Sequence, residues 1–298
     1  MDPIQRFDER FERLVSAAAT VRLLHDGGTF TEGPVWSSDP GQLIWSDIPN
    51  DRLLAWTPDG HVRVFRSPSR FANGNTLDRQ GRLVTCEHGA RRVTRTERDG
   101  SITVIADRYQ GRALNSPNDV VVRSDGTVWF TDPDYGLRVN LPGVPREQDR
   151  DNVFRADPAT GRVDMVADDF EKPNGLAFSP DETVLYVADS AVTEGPDHPS
   201  HIRHFEVDDA GRVRGGDIFV TTVGVPDGMR VDRDGNLWAS AGPGVEVYTT
   251  DATLLGRIVF PADVTNLEFG APDDGRLFVT AGGSLYLLEV LARGARRP

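Results

Sequence analysis

Six oxygen-bearing side chains recur along the 298-residue sequence, each at the start of a short apolar stretch. Every one is a carboxylate or a carboxamide: Glu32, Asn73, Asn118, Asn174, Asp227 and Asn266. Hard oxygen donors of this kind suit a hard divalent cation such as Ca²⁺ or Mg²⁺. The two anionic members would balance the charge of a 2+ ion, and amide oxygens would complete its shell. The set predicts a divalent-metal site, provided that one fold brings the residues together.

The elements that would position these residues form a repeated module. Each module runs from the polar residue into an apolar strand, then an Asp/Gly turn and a second apolar strand, as in Val120–Val122, Asp125-Gly126 and Val128–Asp132. Two more strand-like stretches follow, for example on either side of the hairpin signal Pro58-Asp59-Gly60. Four strands per module and six modules predict an all-β, six-bladed β-propeller, in which the first residue of each inner strand faces the axis.

The two ends of the sequence predict how the propeller closes. The last module holds a single strand, Ser284–Val290, after its second strand, whereas Val21–Leu24 precedes the first module and is spare. We expect residues 21–24 to pair into the last blade, because this pairing removes two exposed sheet edges.

The N-terminus and two insertions complete the predicted organisation. Phe7, Phe11 and Leu14 have helical spacing, so a short amphipathic helix is expected within residues 3–18. Residues 1–20 would then form a helical extension, and residues 21–298 the propeller with its central metal site. Insertions at 138–150 and 191–200 are expected to be loops over one mouth of the channel.

Composition narrows the range of partners. The net charge of −13 repels phosphate backbones, so no nucleic acid is expected, and the apolar runs are too short to cross a membrane. The N-terminus lacks the pattern of a secretory signal, and the single cysteine, Cys86, suits a reducing cytoplasm. A cytoplasmic monomer or homodimer is expected, with Cys86 in the core.

A simpler interpretation of the polar residues competes with metal binding. Asn-Gly and Asp-Gly are ordinary turn sequences, and turn chemistry alone would explain any single copy. Six copies at equivalent positions favour a site, because turns do not require an amide or a carboxylate every time. A second set, Asp47, Glu87, Asp132 and Asp189, ends the second strands. Turn acceptors are the favoured interpretation for Asp47 and Asp189.

Four segments resemble the signature segments of the gluconolactonase/regucalcin (senescence marker protein) family, close to its bacterial gluconolactonase-type members. They are Thr31–Trp36, Ser116–Val120, Lys172–Leu176 and Val225–Met229. Similar segments occur in the diisopropyl fluorophosphatase propellers. The resemblance implies that Glu32, Asn118, Asn174 and Asp227 hold one catalytic divalent metal. Ca²⁺ is the leading expectation, with Mg²⁺, Mn²⁺, Zn²⁺ and Fe²⁺ as alternatives.

The resemblance also implies an activity, which is hydrolysis of a sugar lactone from aldonolactone to aldonic acid. Asp227 is the expected general base, and a hydroxide on the metal is the alternative. The expected substrate contacts are Asn73, His88, Asp132, Tyr135 and Asn266. Two other functions stay open: organophosphate hydrolysis of the diisopropyl fluorophosphatase type, and a non-catalytic propeller that binds a ligand.

Overall fold

Residues 3–271 and 273–295, which the computed structural model describes, form a six-bladed β-propeller of antiparallel four-stranded sheets. This confirms the predicted fold class. The first strand of each blade contacts the first strands of both neighbouring blades, so that six short strands line a central channel. The apolar residues of the strands pack between adjacent blades, where Trp45, Trp129 and Trp238 are fully buried.

The first three blades follow one another along the chain. Blade 1 consists of Thr31–Ser37, Gln42–Asp47, Arg52–Trp56 and Val62–Arg66. Blade 2 consists of Ala72–Leu77, Leu83–Glu87, Arg92–Thr96 and Ile102–Ala106. A two-stranded hairpin follows, made of Arg108–Tyr109 and Arg112–Ala113. Blade 3 consists of Val120–Val122, Val128–Asp132, Asn152–Asp157 and Arg162–Ala167.

The other three blades complete the ring. Blade 4 consists of Pro173–Phe178, Val184–Asp189, His201–Val207 and Val213–Thr221. Blade 5 consists of Met229–Val231, Leu237–Ala241, Gly244–Tyr248 and Leu254–Val259, with Ile4–Arg6 as an added edge strand. Blade 6 consists of Val264–Phe269, Arg276–Ala281, Ser284–Glu289 and Arg22–His25.

Closure of the ring confirms the expected pairing of the chain ends. The strand Arg22–His25 runs antiparallel to Ser284–Glu289, with Arg22 opposite Leu287 and Leu23 opposite Tyr286. One blade therefore contains both an early and a late segment of the chain, which removes two open sheet edges at once.

The N-terminal segment differs from the expected amphipathic helix over residues 3–18. Within these residues, which are all described, the helical part is the 3-10 turn Glu9–Arg13, and Ile4–Arg6 is a strand on blade 5. The helical spacing was misleading because Phe11 is buried against Gly256, whereas Phe7 is exposed. The free edge of blade 5 offers backbone hydrogen bonds that a separate helix would leave unused.

The two insertions meet each other at the end of the channel where the inner strands begin. The helix Tyr135–Val139 leads into the insertion at 138–150, and the insertion at 191–200 begins with the 3-10 turn Ala191–Glu194. The Tyr135 hydroxyl lies 2.9 Å from Thr193 Oγ1, and the Arg138 guanidinium donates to both carboxylate oxygens of Glu194, at 2.6 and 3.0 Å. Tyr135 also donates to the carbonyl of Ser190, whose hydroxyl donates to the carbonyl of Pro226, next to Asp227. These contacts place both insertions beside the predicted site.

Two further expectations concern membranes and Cys86. Across the residues described, no helix combines the length and the apolar character needed to cross a membrane. Cys86 is fully buried among apolar side chains that include Val84 and Phe130, which confirms it as a core residue. Burial raises the pKa of its thiol well above the ordinary value, so the sulfur stays protonated and inert.

Candidate active site

The six polar residues that open the inner strands come together around the channel, and we call them the inner ring. The inner ring consists of Glu32, Asn73, Asn118, Asn174, Asp227 and Asn266. Contacts cross from blade to blade: Asn266 Nδ2 donates to Glu32 Oε2 at 3.0 Å, and the backbone N–H of Gly74 donates to the carbonyl of Asn118 at 2.8 Å. The structure thus brings together the residues that the sequence pattern singled out.

Hydroxyl groups on the second strands hold the backbone of the inner ring, a feature that the sequence reasoning missed. The Ser240 hydroxyl accepts from the N–H of Asp227 at 2.7 Å. Thr131 Oγ1 donates to the carbonyl of Asn174 at 2.7 Å. The signal was present in the sequence, because a serine or threonine stands next to the end of four second strands. These residues are Ser46, Thr131, Ser240 and Thr280.

Two glycines that follow inner-ring residues are required by close packing and not by a turn conformation. A Cβ on Gly175 would lie 2.1 Å from the carbonyl oxygen of Asp227, and one on Gly228 would lie 2.0 Å from Cγ of Asn266. Neither glycine is among the residues with positive φ, so neither is required by a left-handed turn. Glycine is needed here because neighbouring blades approach closely at the axis.

Three oxygen atoms of the inner ring are buried without a hydrogen-bond partner among the described residues: Glu32 Oε1, Asn73 Oδ1 and Asn174 Oδ1. Leaving a buried acceptor unpaired costs about 1–3 kcal/mol, so native structures rarely tolerate several together without a function. A cation would pair with such oxygens. The donor set at this place therefore fits a hard divalent metal ion.

The charge balance of the site leads to the same conclusion. Burial, together with the negative charge of Asp119, raises the pKa of Glu32 to about 8. Burial, together with Glu32 and Asp119, raises the pKa of Asp227 well above its ordinary value, although a hydrogen bond from Asn174 opposes this. Each shift comes first from burial of the carboxylate and then from the neighbouring negative charges, and a bound cation would offset both effects.

Asp119 and Arg230 belong to this charge network, and the sequence reasoning did not select either of them. Asp119 Oδ1 accepts from the N–H of Val120 at 2.8 Å, and its other oxygen lies 3.4 Å from Asn266 Nδ2. The Arg230 guanidinium donates to Glu268 Oε2 at 2.9 Å and counteracts the rise in the pKa of Asp119 that burial causes. Asp119 directly follows the inner-ring residue Asn118, and Arg230 directly follows the segment Val225–Met229, so adjacency was the available signal.

Carboxylates and histidines alone do not form the predicted metal site. Among residues 3–271 and 273–295, no three His, Cys, Asp or Glu side chains are grouped so as to hold a metal ion. The predicted ligand set therefore depends on the amides of Asn118 and Asn174 as much as on Glu32 and Asp227. Amide and carboxylate oxygens match Ca²⁺ better than they match a metal that prefers sulfur or imidazole.

The predicted substrate contacts fall into different environments. His88 and Asn73 contact each other, with 3.2 Å between His88 Nε2 and Asn73 Nδ2, and Asn266 binds Glu32 directly. Tyr135 lies beneath the insertion contacts, and burial raises the pKa of its phenol above the ordinary value, so the hydroxyl remains a hydrogen-bond donor. Asn73 and Asn266 belong to the inner ring, and His88 and Tyr135 lie beside it.

Asp132 is placed differently from the other predicted substrate contacts. It is fully buried, and its Oδ2 accepts from the N–H of Asn115 at 2.8 Å. Burial raises the pKa of Asp132 to about 8. This geometry gives Asp132 a role in holding the loop before Asn118, and its contact with a substrate stays a prediction.

Asp47 and Asp189 are turn acceptors, as the simpler interpretation predicted. Asp47 accepts from the N–H of Thr29, the amide of Asn50 and the guanidinium of Arg52 at 2.8 to 3.0 Å. Asp189 accepts from the backbone N–H groups of residues 171 and 172. Both oxygens of each carboxylate therefore already accept hydrogen bonds within the fold.

Comparison with known proteins identifies the family. The family model described as "SMP-30/Gluconolactonase/LRE-like region" matches residues 30–283. The chain belongs to this family. The matched part of this SMP-30/gluconolactonase/LRE-like protein contains the whole inner ring. It also contains both insertions at the channel mouth.

Relatives and solved structures agree with this assignment. A gluconolactonase from Zymomonas mobilis is 32% identical, with 86% of this chain and 76% of that protein covered. A pentonolactonase from Haloferax volcanii is 30% identical, with 85% and 81% covered. The structure of a gluconolactonase from Xanthomonas campestris superimposes with a TM-score of 0.89 at 40% identity, covering 97% of this chain and 95% of that one.

Proposed function

We propose that this family member is a metal-dependent lactonase that hydrolyses an aldonolactone to the aldonic acid. The observation that carries the proposal is the group of buried oxygens on Glu32, Asn73 and Asn174, which have no hydrogen-bond partner among residues 3–271 and 273–295 and lie beside the carboxylate of Asp227. The similarity to a gluconolactonase and a pentonolactonase supports the choice of a sugar lactone as substrate.

The residues proposed to hold the metal are Glu32, Asn118, Asn174 and Asp227. Two carboxylates balance the charge of a divalent ion, and the all-oxygen donor set makes Ca²⁺ the first candidate. When bound, the ion would polarise the lactone carbonyl and stabilise negative charge on its oxygen in the tetrahedral transition state. Asn266 supports this arrangement, because its amide donates to Glu32 Oε2 and leaves Oε1 without a partner in the described part of the chain.

Asp227 is the proposed general base. Its carboxylate takes a proton from the water whose oxygen forms the new bond to the carbonyl carbon. The bond between the carbonyl carbon and the ring oxygen then breaks, and the ring oxygen receives a proton and becomes a hydroxyl group. Ser240 holds the backbone of Asp227 in place for this step. The Tyr135 phenol cannot replace Asp227 as base, because burial raises its pKa.

The polar groups beside the inner ring suit a hydroxylated substrate. His88, Tyr135 and Lys172 lie on this side of the channel, and Lys172 is held by Asp134 and Asp151 at 2.9 and 2.8 Å. An organophosphate hydrolase would need a more apolar pocket. A non-catalytic ligand-binding propeller would show no metal-dependent turnover of any lactone.

The test is an assay of the chelator-stripped protein with a panel of aldonolactones. Each lactone is offered without metal and with Ca²⁺, Mg²⁺, Mn²⁺, Zn²⁺ or Fe²⁺. We expect hydrolysis to be lost after stripping and restored best by Ca²⁺. If no lactone is hydrolysed with any of the five ions, the proposed function is wrong.

A further inference from the structure

The imidazole of His88 is held between two asparagine side chains that are distant in sequence. His88 Nε2 lies 3.2 Å from Asn73 Nδ2 in the inner ring. On the other side, His88 Nδ1 lies 3.0 Å from Oδ1 of Asn140, which directly follows the helix Tyr135–Val139. The ring is 4% exposed. Asn140, His88 and Asn73 therefore form one hydrogen-bonded chain from the insertion to the inner ring.

The donors and acceptors of the three side chains fix the direction of these two hydrogen bonds. The Asn140 Oδ1 atom accepts but does not donate, so the proton of the neutral imidazole is on Nδ1. His88 Nε2 is then an acceptor, and the group facing it must be the NH₂ of Asn73. Burial lowers the pKa of His88 to about 4, which keeps the ring neutral near pH 7.

The direction of these hydrogen bonds decides whether the oxygen or the nitrogen of the Asn73 amide faces away from His88. Its Oδ1 atom is buried and has no hydrogen-bond partner within the described part of the chain. Turning the Asn73 amide would place two acceptors against each other, unless the His88 tautomer and the Asn140 amide changed as well. Asn140 therefore controls, from outside the inner ring, whether Asn73 presents an acceptor or a donor.

Close packing of the helix on the histidine keeps Asn140 within reach. A Cβ on Gly136 would lie 2.5 Å from Cγ of His88, so the first turn of the helix lies directly on the ring. The N–H of Asn140 donates to the carbonyl of Gly136 at 2.8 Å and fixes the end of the same helix. Arg138 joins the helix to Glu194 of the other insertion.

We propose that Asn140 is a positioning residue that acts through His88. It holds the Asn73 amide with Oδ1 free to accept a hydrogen bond from a hydroxyl group of the lactone. The proposal rests on the proposed lactonase function, which supplies the hydroxylated substrate. It assigns Asn140 a role in the recognition of substrate hydroxyls and leaves the chemical step to other residues.

The kinetic test compares Asn140→Leu, which removes the hydrogen bond, with Asn140→Asp, which keeps an acceptor facing Nδ1. Val139→Ala is the matched control, because this neighbouring side chain is 73% exposed. The metal-loaded proteins are assayed at pH 8 with gluconolactone and with δ-valerolactone, which has the same ring size without hydroxyl groups.

For Asn140→Leu we expect KM for gluconolactone to rise about tenfold, as for loss of one substrate hydrogen bond, with kcat and the δ-valerolactone reaction nearly unchanged. Asn140→Asp and Val139→Ala should resemble the unaltered protein. The proposal is overturned if Asn140→Leu leaves gluconolactone kinetics unchanged, if it impairs both lactones equally, or if Asn140→Asp fails to preserve KM.

A nitrogen NMR measurement tests the same arrangement without activity. In ¹⁵N-histidine-labelled protein, with the His88 signals assigned by their loss in His88→Gln, we expect the Nδ1–H tautomer, and a mixture of tautomers in Asn140→Leu. The Nε2–H tautomer in the unaltered protein would overturn the positioning role. The Nδ1–H tautomer in a protein that hydrolyses no lactone of the aldonolactone panel with any of the five ions would instead refute the lactonase function, and with it the proposed contact to a substrate hydroxyl.

Discussion

The inner ring and the carboxylates that end the second strands come from the same repeats but are used differently. We call the second set the outer carboxylates: Asp47, Glu87, Asp132 and Asp189. Asp47 accepts a hydrogen bond from Arg52 at 2.9 Å, and Glu87 accepts one from Arg92 at 2.7 Å. Glu32 in the inner ring, in contrast, keeps a buried oxygen without a partner among the described residues. Residue type alone does not separate the two sets. The sets differ in whether the side-chain oxygens already have hydrogen-bond partners. Partnered oxygens stabilise the fold, and free ones are available to a ligand.

The largest effect is expected for Asp227→Asn. Removing the proposed base should lower kcat by about 10²–10⁴-fold at saturating metal. The fold should persist, because Ser240 binds the backbone of residue 227 and not its side chain. Steady-state kinetics and circular dichroism measure the two quantities. Full turnover in a folded variant would exclude Asp227 from the mechanism.

The opposite pattern, reduced stability with turnover retained, is expected for Asp47→Ala among the outer carboxylates. This change leaves the guanidinium of Arg52, the amide of Asn50 and the N–H of Thr29 without their acceptor. The free energy of unfolding should fall by about 2–3 kcal/mol, while kcat of the remaining folded protein is retained. Urea unfolding measures the loss.

A control for this change is Asp59→Ala, which removes an exposed turn carboxylate from the same blade and should cost less stability. If Asp47→Ala abolished turnover at a temperature where the protein is folded, the division between the two sets would be wrong.

Removal of the proposed metal ion should leave the negative charge of the inner ring without compensation. The folded pKa of Glu32, about 8, lies above its ordinary value of 4.5, so the folded state binds this proton more tightly between these pH values. The stability of stripped protein should therefore fall as pH rises through that window.

Adding Ca²⁺ at about 100 times its Kd should restore about 2.7 kcal/mol at pH 8. The gain should be smaller at pH 5, where protons compete for the same carboxylates. Thermal unfolding with and without Ca²⁺ at the two pH values measures the difference. An equal gain at both values would show that the ion does not bind at Glu32 and Asp227.

The comparison of the inner ring with the outer carboxylates also shows which features can be predicted from the sequence. Repeat spacing predicted the blades, the closing strand and the inner ring, because these features follow from local patterns that recur six times. The N-terminal strand Ile4–Arg6 could not be predicted from its own residues, since it depends on a free edge of blade 5. Nor could the sequence show which oxygens are free. Asn140 lies 52 residues from His88 in a non-repeated insertion, so its contact appears only in the folded chain.

Asp132 is the member of the outer set that breaks the comparison, because its Oδ1 is buried without a partner among the described residues. Its folded pKa, about 8, exceeds the ordinary 3.8, so its contribution to stability should fall as pH rises between these values. Asp132→Asn places an amide nitrogen where a protonated Oδ1 would stand. At pH 6 the variant should therefore differ by about 1 kcal/mol or less, and at pH 9 it should be the more stable protein. Urea unfolding at both pH values checks this, and an increase of about tenfold in the lactone KM would instead place Asp132 in contact with substrate.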